Sequence, residues 1–424
     1  MLKISRVVII SILIATQWPV CAQNNTNSPY TRFGYGELAN RSFGAGRSMG
    51  GVGYGLRSSK QINPLNPASY TGMDSLTFLF DFGVNAQLSW YDDGVNKQKD
   101  TNGNIEYMAM QFPISKRMAV SIGILPYSYV GYKYGADISD GDAPYREQYI
   151  GTGGLNDIYA GLSIDIWKKR LSVGANVGYL FGNVNHNSRM NFESNTGRLI
   201  YTTKEVKVKD LKLDFGLQYT HPLSATQHFV VGLAYSPSNR LNAKSTEIVQ
   251  IGTGLSADID TTTITGQRFD IPNSFGLGFS YVKANKLTVA ADILYETWGE
   301  AHFFGDKGDF KDRIRIAAGL EYLPNYQERA FFKRVRYRAG LHYSNSYLKI
   351  NSVEENGKTG FGYDEYGASV GFGLPLVDNR SFINIGIEYV KIKPESKLMI
   401  DEQYLRFTLN YTFNERWFFK FKVD

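Results

Sequence analysis

Cysteine is nearly absent from this sequence: Cys21 is the only one in 424 residues. It falls in MLKISRVVIISILIATQWPVCAQ, where Lys3 and Arg6 precede an apolar run from Val7 to Ala15 and small residues follow at Val20-Cys21-Ala22. That order of positive charge, short apolar run and small-residue site is the pattern of a cleaved secretory leader, residues 1–22. The run is too short for a membrane-spanning helix and is broken at Gln17 and Pro19. Val20 is a poor residue to precede a lipidated cysteine, which argues against a lipoprotein anchor. Cleavage removes the single thiol and with it any disulfide or thiol chemistry in the mature protein.

Histidine is scarce too, with only His186, His221, His228, His302 and His342. No nucleophile elbow, zincin motif or paired-histidine spacing occurs, so the expectation is no catalytic residue, no metal and no cofactor. The net charge of +6, two units of which leave with the leader, is too mild for a nucleic-acid partner. KEVKVKDLK, Lys204 to Lys212, reads instead as the entrance to a strand with a charged luminal or rim face. GGVGYG, Gly50 to Gly55, follows no strand and opens no helix, which excludes a nucleotide loop. Sustained helical periodicity and a second long apolar run are both missing, so the chain does not cross a membrane with helices.

What is abundant is Gly, Tyr and Phe, at 43, 29 and 26 residues, and strict alternation. In LTFLFDFGVNAQLS one face carries Leu76, Phe78, Phe80, Phe82, Val84, Ala86 and Leu88; the other carries Thr77, Leu79, Asp81, Gly83, Asn85, Gln87 and Ser89. The same period of two recurs from Leu171 to Tyr179 and from Leu405 to Phe413, with a small or polar opposite face. An apolar face against lipid and a small, polar face around a lumen predict an all-β transmembrane antiparallel barrel. A soluble sandwich shares the period and is the alternative.

About 14 strands are expected, beginning near Leu76, Ile105, Met118, Gln148, Leu171, Val206, His228, Ser274, Leu287, Arg313, Val335, Tyr366, Phe382 and Tyr404. Connections after even strands are short, with Leu323 to Arg334 the exception; those after odd strands, such as Tyr91 to Asn104 and Asn185 to Lys204, read as longer extracellular loops. Trp90, Tyr219, Tyr235, Tyr281, Tyr295, Trp298, Tyr322, Tyr343, Tyr389 and Tyr411 stand where apolar faces end, as girdles at the two membrane boundaries would. The barrel is expected over 76–413, with a periplasmic tail at 414–424.

Residues 23–75 show no alternation. Eight glycines fall between Gly34 and Gly55, and INPLNPASY carries two Asn-Pro steps. Glycine lets backbone pack closely, and proline fixes φ and biases the residue before it towards extended geometry. With Phe33, Leu38, Phe43 and Met49 as apolar points, the segment reads as an N-terminal luminal hatch.

The Gly-rich Gly44 to Gly55, the Asn66-Pro67-Ala68 signature, the strand count and the Ile271 to Gly278 strand entry resemble the FadL family of outer-membrane channels for long-chain fatty acids and other hydrophobic compounds. Secretion barrels of the PorV and PorP kinds share the plan. The resemblance implies a bacterial outer-membrane protein that passively takes up hydrophobic or amphipathic small molecules, with Asn63 in the hatch and Asn66, Pro67 and Ala68 at its junction with the first strand. It also implies a lateral portal beside a kinked third strand, where Gly123 and Pro126 lie; a bulge at Pro126 without any opening is the other reading. Luminal charges include Arg313, Arg315, Arg336, Arg338, Glu388 and Arg406; an arginine wall would meet a ligand carboxylate, and pairing among themselves and with the hatch is the other reading. The partners implied are outer-membrane lipids and a hydrophobic ligand. The alternative is a scaffold subunit of a secretion or cell-surface assembly with envelope protein partners.

Overall fold

A computed structural model describes residues 25–138, 144–167, 169–192, 198–253, 256–264, 267–284 and 286–417. The leader 1–22 and the last residues of the tail, 418–424, lie outside the described residues.

Fourteen antiparallel strands close into a barrel. They are β1 (Thr77–Asp92), β2 (Lys97–Ser115), β3 (Met118–Ile138), β4 (Tyr145–Trp167), β5 (Leu171–Phe192), β6 (Arg198–Pro222) and β7 (Gln227–Ser236). After them come β8 (Ser274–Lys283), β9 (Leu287–Glu296), β10 (Arg313–Tyr322), β11 (Arg336–Asn345), β12 (Tyr363–Pro375), β13 (Phe382–Pro394) and β14 (Asp401–Arg416). Each pairs with the next, and β14 closes on β1 with Phe407 opposite Ala86. Alternation sets the facing: along β1 Asp81, Asn85, Gln87 and Ser89 are buried in the lumen, whereas Leu88 of the other row is exposed, and Leu409 and Phe407 of β14 lie exposed beside it. The exposed apolar rows are the lipid-facing surface.

Short turns gather at one end, as after β2, β6, β8 and β12; by the rule for such barrels this end is periplasmic. The exception, Leu323 to Val335, folds a short helix at Phe331–Arg334. Strands begin as the alternation places them at Met118, Leu171, Ser274, Leu287, Arg313 and Phe382.

Three sequence expectations are corrected. Tyr91 to Asn104 and Asn185 to Lys204 are not loops: β1 pairs with β2 as far as Asp92 opposite Lys97, and β5 pairs with β6 as far as Asn191 opposite Leu199. Strands of 23, 22 and 25 residues at β4, β5 and β6 far exceed the 9 to 11 or so that cross a bilayer. Their outer halves stand in water, where neither face needs to be apolar, so the alternation fades. A hairpin, Ala243–Thr253 and Ser256–Ile264, adds to β6 there and widens this extracellular sheet. Strand β14 runs to Arg416, so the barrel does not stop at 413. Trp298 is no girdle residue: it is fully buried in an aromatic cluster at the extracellular mouth.

That cluster joins the extracellular connections to the N-terminal segment. Tyr35 packs edge-on to Phe303 at 5.0 Å between centroids, lies 5.8 Å from Trp298, and donates its hydroxyl to the Asp270 carbonyl at 3.1 Å. Tyr347 donates to the Gly36 carbonyl at 2.6 Å.

Candidate functional site: a filled lumen and a parted seam

Residues 25–75 lie against the luminal wall. The two asparagines of INPLNPASY are their main clamps. Asn63 donates its amide to the Gly53 and Leu56 carbonyls, folding the segment back on itself. Asn66, fully buried, donates to Tyr54 within the segment and to Leu217 and Leu233 of β6 and β7, while its Oδ1 accepts from Ala68 N and caps the turn Pro67–Gly72. Pro67 and Ala68 rest on Gly174 and Gly216. Phe43 stacks on Tyr107 at 3.6 Å, Met49 packs with Val52 and Leu56, and Phe33 and Leu38 reach the aromatic cluster.

Luminal glycines explain how backbone approaches so closely. A Cβ at Gly340 would collide with Met49 C and Gly50 N, one at Gly232 with the Tyr54 carbonyl, and one at Gly319 with the Met49 carbonyl. Gly278, Gly371 and Gly174 meet Gly55, Ser48 and Pro67 in the same way. The small faces of the alternating strands therefore form a belt on which the segment lies. Replacing Gly340 by Val suits a strand but denies the segment its seat. The expected result is rapid proteolysis of residues 25–74 with the barrel strands still resistant, measured by limited digestion of the purified protein.

Charge adds a second set of clamps. Arg41 pairs with Asp157 of β4 at 3.1 Å and Asp214 of β6 at 3.2 Å; Arg47 pairs with Glu106 of β2 at 2.5 Å; Arg57 pairs with Asp165 of β4 at 3.0 Å. Burial alone would favour loss of the Arg41 proton, but Asp214 and then Asp157 hold it charged, above the ordinary guanidinium range. Glu37 pairs with Arg406, which also meets Glu388 at 3.3 Å. Asp292 accepts from Gly53 N and Tyr54 N.

The expected arginine wall is not one wall. Because β10 and β11 are antiparallel, Arg315 lies opposite Ser344 and Arg338 opposite Glu321, which puts the two pairs at opposite ends of the lumen. Arg336 and Arg338 share Glu321 in a vestibule of about 360 Å³ at the periplasmic end. Arg313 pairs with Glu296 at 3.2 Å, and Arg315 donates to the Gly50 carbonyl at 2.7 Å; both border a chamber of about 120 Å³ on the other side of the segment. Glu37, Arg41, Asp214, Glu365, Glu388 and Arg406 also line that chamber, which has room for a few waters and none for an acyl chain. Sequence reasoning missed Glu106, Asp157 and Glu365, as well as Arg41, Arg47 and Arg57 of the N-terminal segment.

The wall is parted at one place. Pairing of β2 with β3 ends at Met108 opposite Ile124, although β2 continues to pair with β1 and β3 with β4. Both strands bulge there. A register shift against β1 makes Glu106 an extra residue in β2, and a shift against β4 does the same for Tyr127 in β3. A bulge bends its strand and raises the local twist, so two bulges on facing strands drive them apart. Gly123 sits in the last stretch of ladder, opposite Ala109, and Pro126 lies between that ladder's end and the β3 bulge.

The N-terminal segment fills the parting. Glu37–Leu38 pair with Tyr129 and Ser128 of β3, Ala39 N donates to the Tyr127 carbonyl, and Thr31 exchanges hydrogen bonds with Gly131. On the β2 side Asn27 donates to Asn102 at 3.3 Å and Asn104 to the Asn25 carbonyl at 2.6 Å. Side chains thus replace a ladder.

Comparison with solved structures places this architecture. A FadL homologue of Pseudomonas aeruginosa aligns over 89% of this chain and 99% of its own, at TM-score 0.59 and 15% identity. The toluene transporter TbuX of Ralstonia pickettii gives the same four figures. The toluene transporter TodX of P. putida aligns over 90% of this chain and all of its own, at TM-score 0.57 and 15% identity. The barrel is thus FadL-like, and the protein is one of the bacterial outer membrane. Among curated protein sequences there is no match. The BamG family model matches residues 1–424, the whole length, and the chain therefore belongs to the BamG family.

Proposed function

We propose that the protein passes hydrophobic or amphipathic small molecules, fatty acids among them, from the extracellular aromatic cluster sideways through the β2–β3 seam, with residues 26–39 as the gate. The observation that carries this reading is the seam itself: two bulged strands lose their ladder and a segment of the same chain closes the gap. The route avoids the charged chamber, where dehydrating an apolar molecule's surroundings would cost most. Tyr30, Tyr127, Tyr347 and Tyr363 belong to or pack on the aromatic cluster, so the path is apolar until Glu37. The shared fold of channels named for toluene supports the same reading. Uptake of labelled toluene and of a long-chain fatty acid by cells with and without the protein tests it: saturable, protein-dependent uptake is expected, and equal uptake in both would overturn it.

One observation favours a second reading, a scaffold in an envelope assembly. The sheet of β3 to β6 and the hairpin stands beyond the lipid-facing band and ends in an edge strand, Ser256–Ile264, that among the described residues pairs on one side only. Unpaired strand edges accept partner strands. Loss of a co-purifying envelope protein on deletion of residues 243–264, with uptake unaffected, would favour this reading over the channel.

A further inference from the structure

The lysine-rich strand entrance Lys204 to Lys212 has no part in either reading. Lys207 and Lys209 are exposed and belong to the same row of β6 as Leu211, Leu213 and Phe215, which are themselves 57%, 41% and 44% exposed to lipid. The row changes from apolar to cationic between Leu211 and Lys209, at the extracellular edge of the lipid-facing band. Lys244 of the hairpin is directly opposite Lys207. Arg240 is exposed on the segment that follows β7, where its neighbour Asn239 donates to the Leu211 carbonyl of β6 at 2.8 Å. Glu205 pairs with Lys207 at 3.0 Å; among the described residues Lys209, Arg240 and Lys244 have no carboxylate partner.

Below this cluster the same wall is hollowed. A groove of about 930 Å³ runs over the outside of β4 to β9, lined by Val173, Phe215, Leu217, Leu233 and Phe275, with Ala175 as the small residue that opens it. Apolar surface alone suits any acyl chain, and cations alone suit any anion. Together on one wall, at headgroup height and beneath it, they match a lipid that carries both.

We propose that this wall seats a phosphorylated glycolipid of the outer leaflet, its phosphate held by Lys207, Lys209, Lys244 and Arg240 and its acyl chains lying over Leu211 and Leu213 into the groove. The placement follows from charge complementarity at a membrane surface, where each cation adds to the attraction and salt weakens it.

Native mass spectrometry of the full-length protein in mild detergent, titrated with phosphorylated lipid A and with its dephosphorylated form, tests the assignment. The wild type is expected to retain the phosphorylated form preferentially. The triple change Lys207→Gln, Lys209→Gln and Lys244→Gln should cut that retention by about tenfold or more, and Ala175→Trp should reduce retention of both forms by filling the groove. These side chains are on the outer surface, and the heat-modifiable migration of the folded barrel confirms that each variant is intact. Equal retention of the two lipid forms by the wild type, unchanged retention in the triple variant, or a polypeptide held in the groove in place of lipid would each overturn it.

Discussion

Joining Leu38→Cys to Ser128→Cys is expected to abolish uptake of hydrophobic compounds, and reduction is expected to restore it. These two residues are direct partners in the short ladder between the N-terminal segment and β3. Opposed residues in antiparallel pairs lie about 4.5–5.5 Å apart between Cα atoms, within the span that a disulfide bridges. Cys21 is the only cysteine of the sequence, and a Cys21→Ser background leaves the engineered pair without a competitor. A closed bridge holds Glu37–Leu38 in the parting whatever ligand arrives outside. Transport measured in oxidised and reduced cells gives the answer within one variant, because folding and abundance are the same in both arms. Uptake that is indifferent to the redox state removes the seam from the pathway and shifts the weight to the scaffold.

Replacing Arg47 by Ala is expected to destabilise the protein by about 3–5 kcal/mol, the cost of leaving one member of a buried ion pair without its partner. Glu106 is the residue stranded. Its side chain is 1% exposed, it is the extra residue of the β2 bulge, and Asn85 is left as its remaining donor. The loss should appear as a lower temperature at which the folded, fast-migrating band disappears. Adding Glu106→Gln should recover most of it, since a neutral amide tolerates burial better than an unpaired carboxylate. If the single variant melts with the wild type, the pair is not what holds the segment.

Much of this architecture was readable because lipid on one side and the packed N-terminal segment on the other enforce alternation. Leu405, Phe407 and Leu409 against Arg406, Thr408 and Asn410 predict both the strand and its facing. The outer halves of β5 and β6 escaped because Asn183, Asn185, Thr202 and Thr203 meet water and no membrane tells their faces apart. The bulges escaped for another reason. Glu106 and Tyr107 both turn inward, which in sequence is indistinguishable from a slip of phase. INPLNPASY was legible as a junction, but the acceptors of its amides were not: Asn66 finds carbonyls 151 and 167 residues away. Arg313 and Arg336 look like neighbours on adjoining strands, and only antiparallel direction separates them.

The glycine belt also fixes an order of assembly. Strand β1 is joined through residues 73–76 to the segment that lies on the belt, and β1 is also the strand that β14 must reach to close the ring. Once Thr77 to Asp92 have paired with Asp401 to Arg416, about fifty residues would have to thread past extracellular connections already packed around Tyr35. Laying the segment on an open, curling sheet avoids that passage, and its backbone then serves as the form around which the glycine rows bend. Protection of residues 25–74 from protease should therefore appear no later than the heat-resistant ring during refolding, and a ring that closes first with the segment still cleavable would reverse the order.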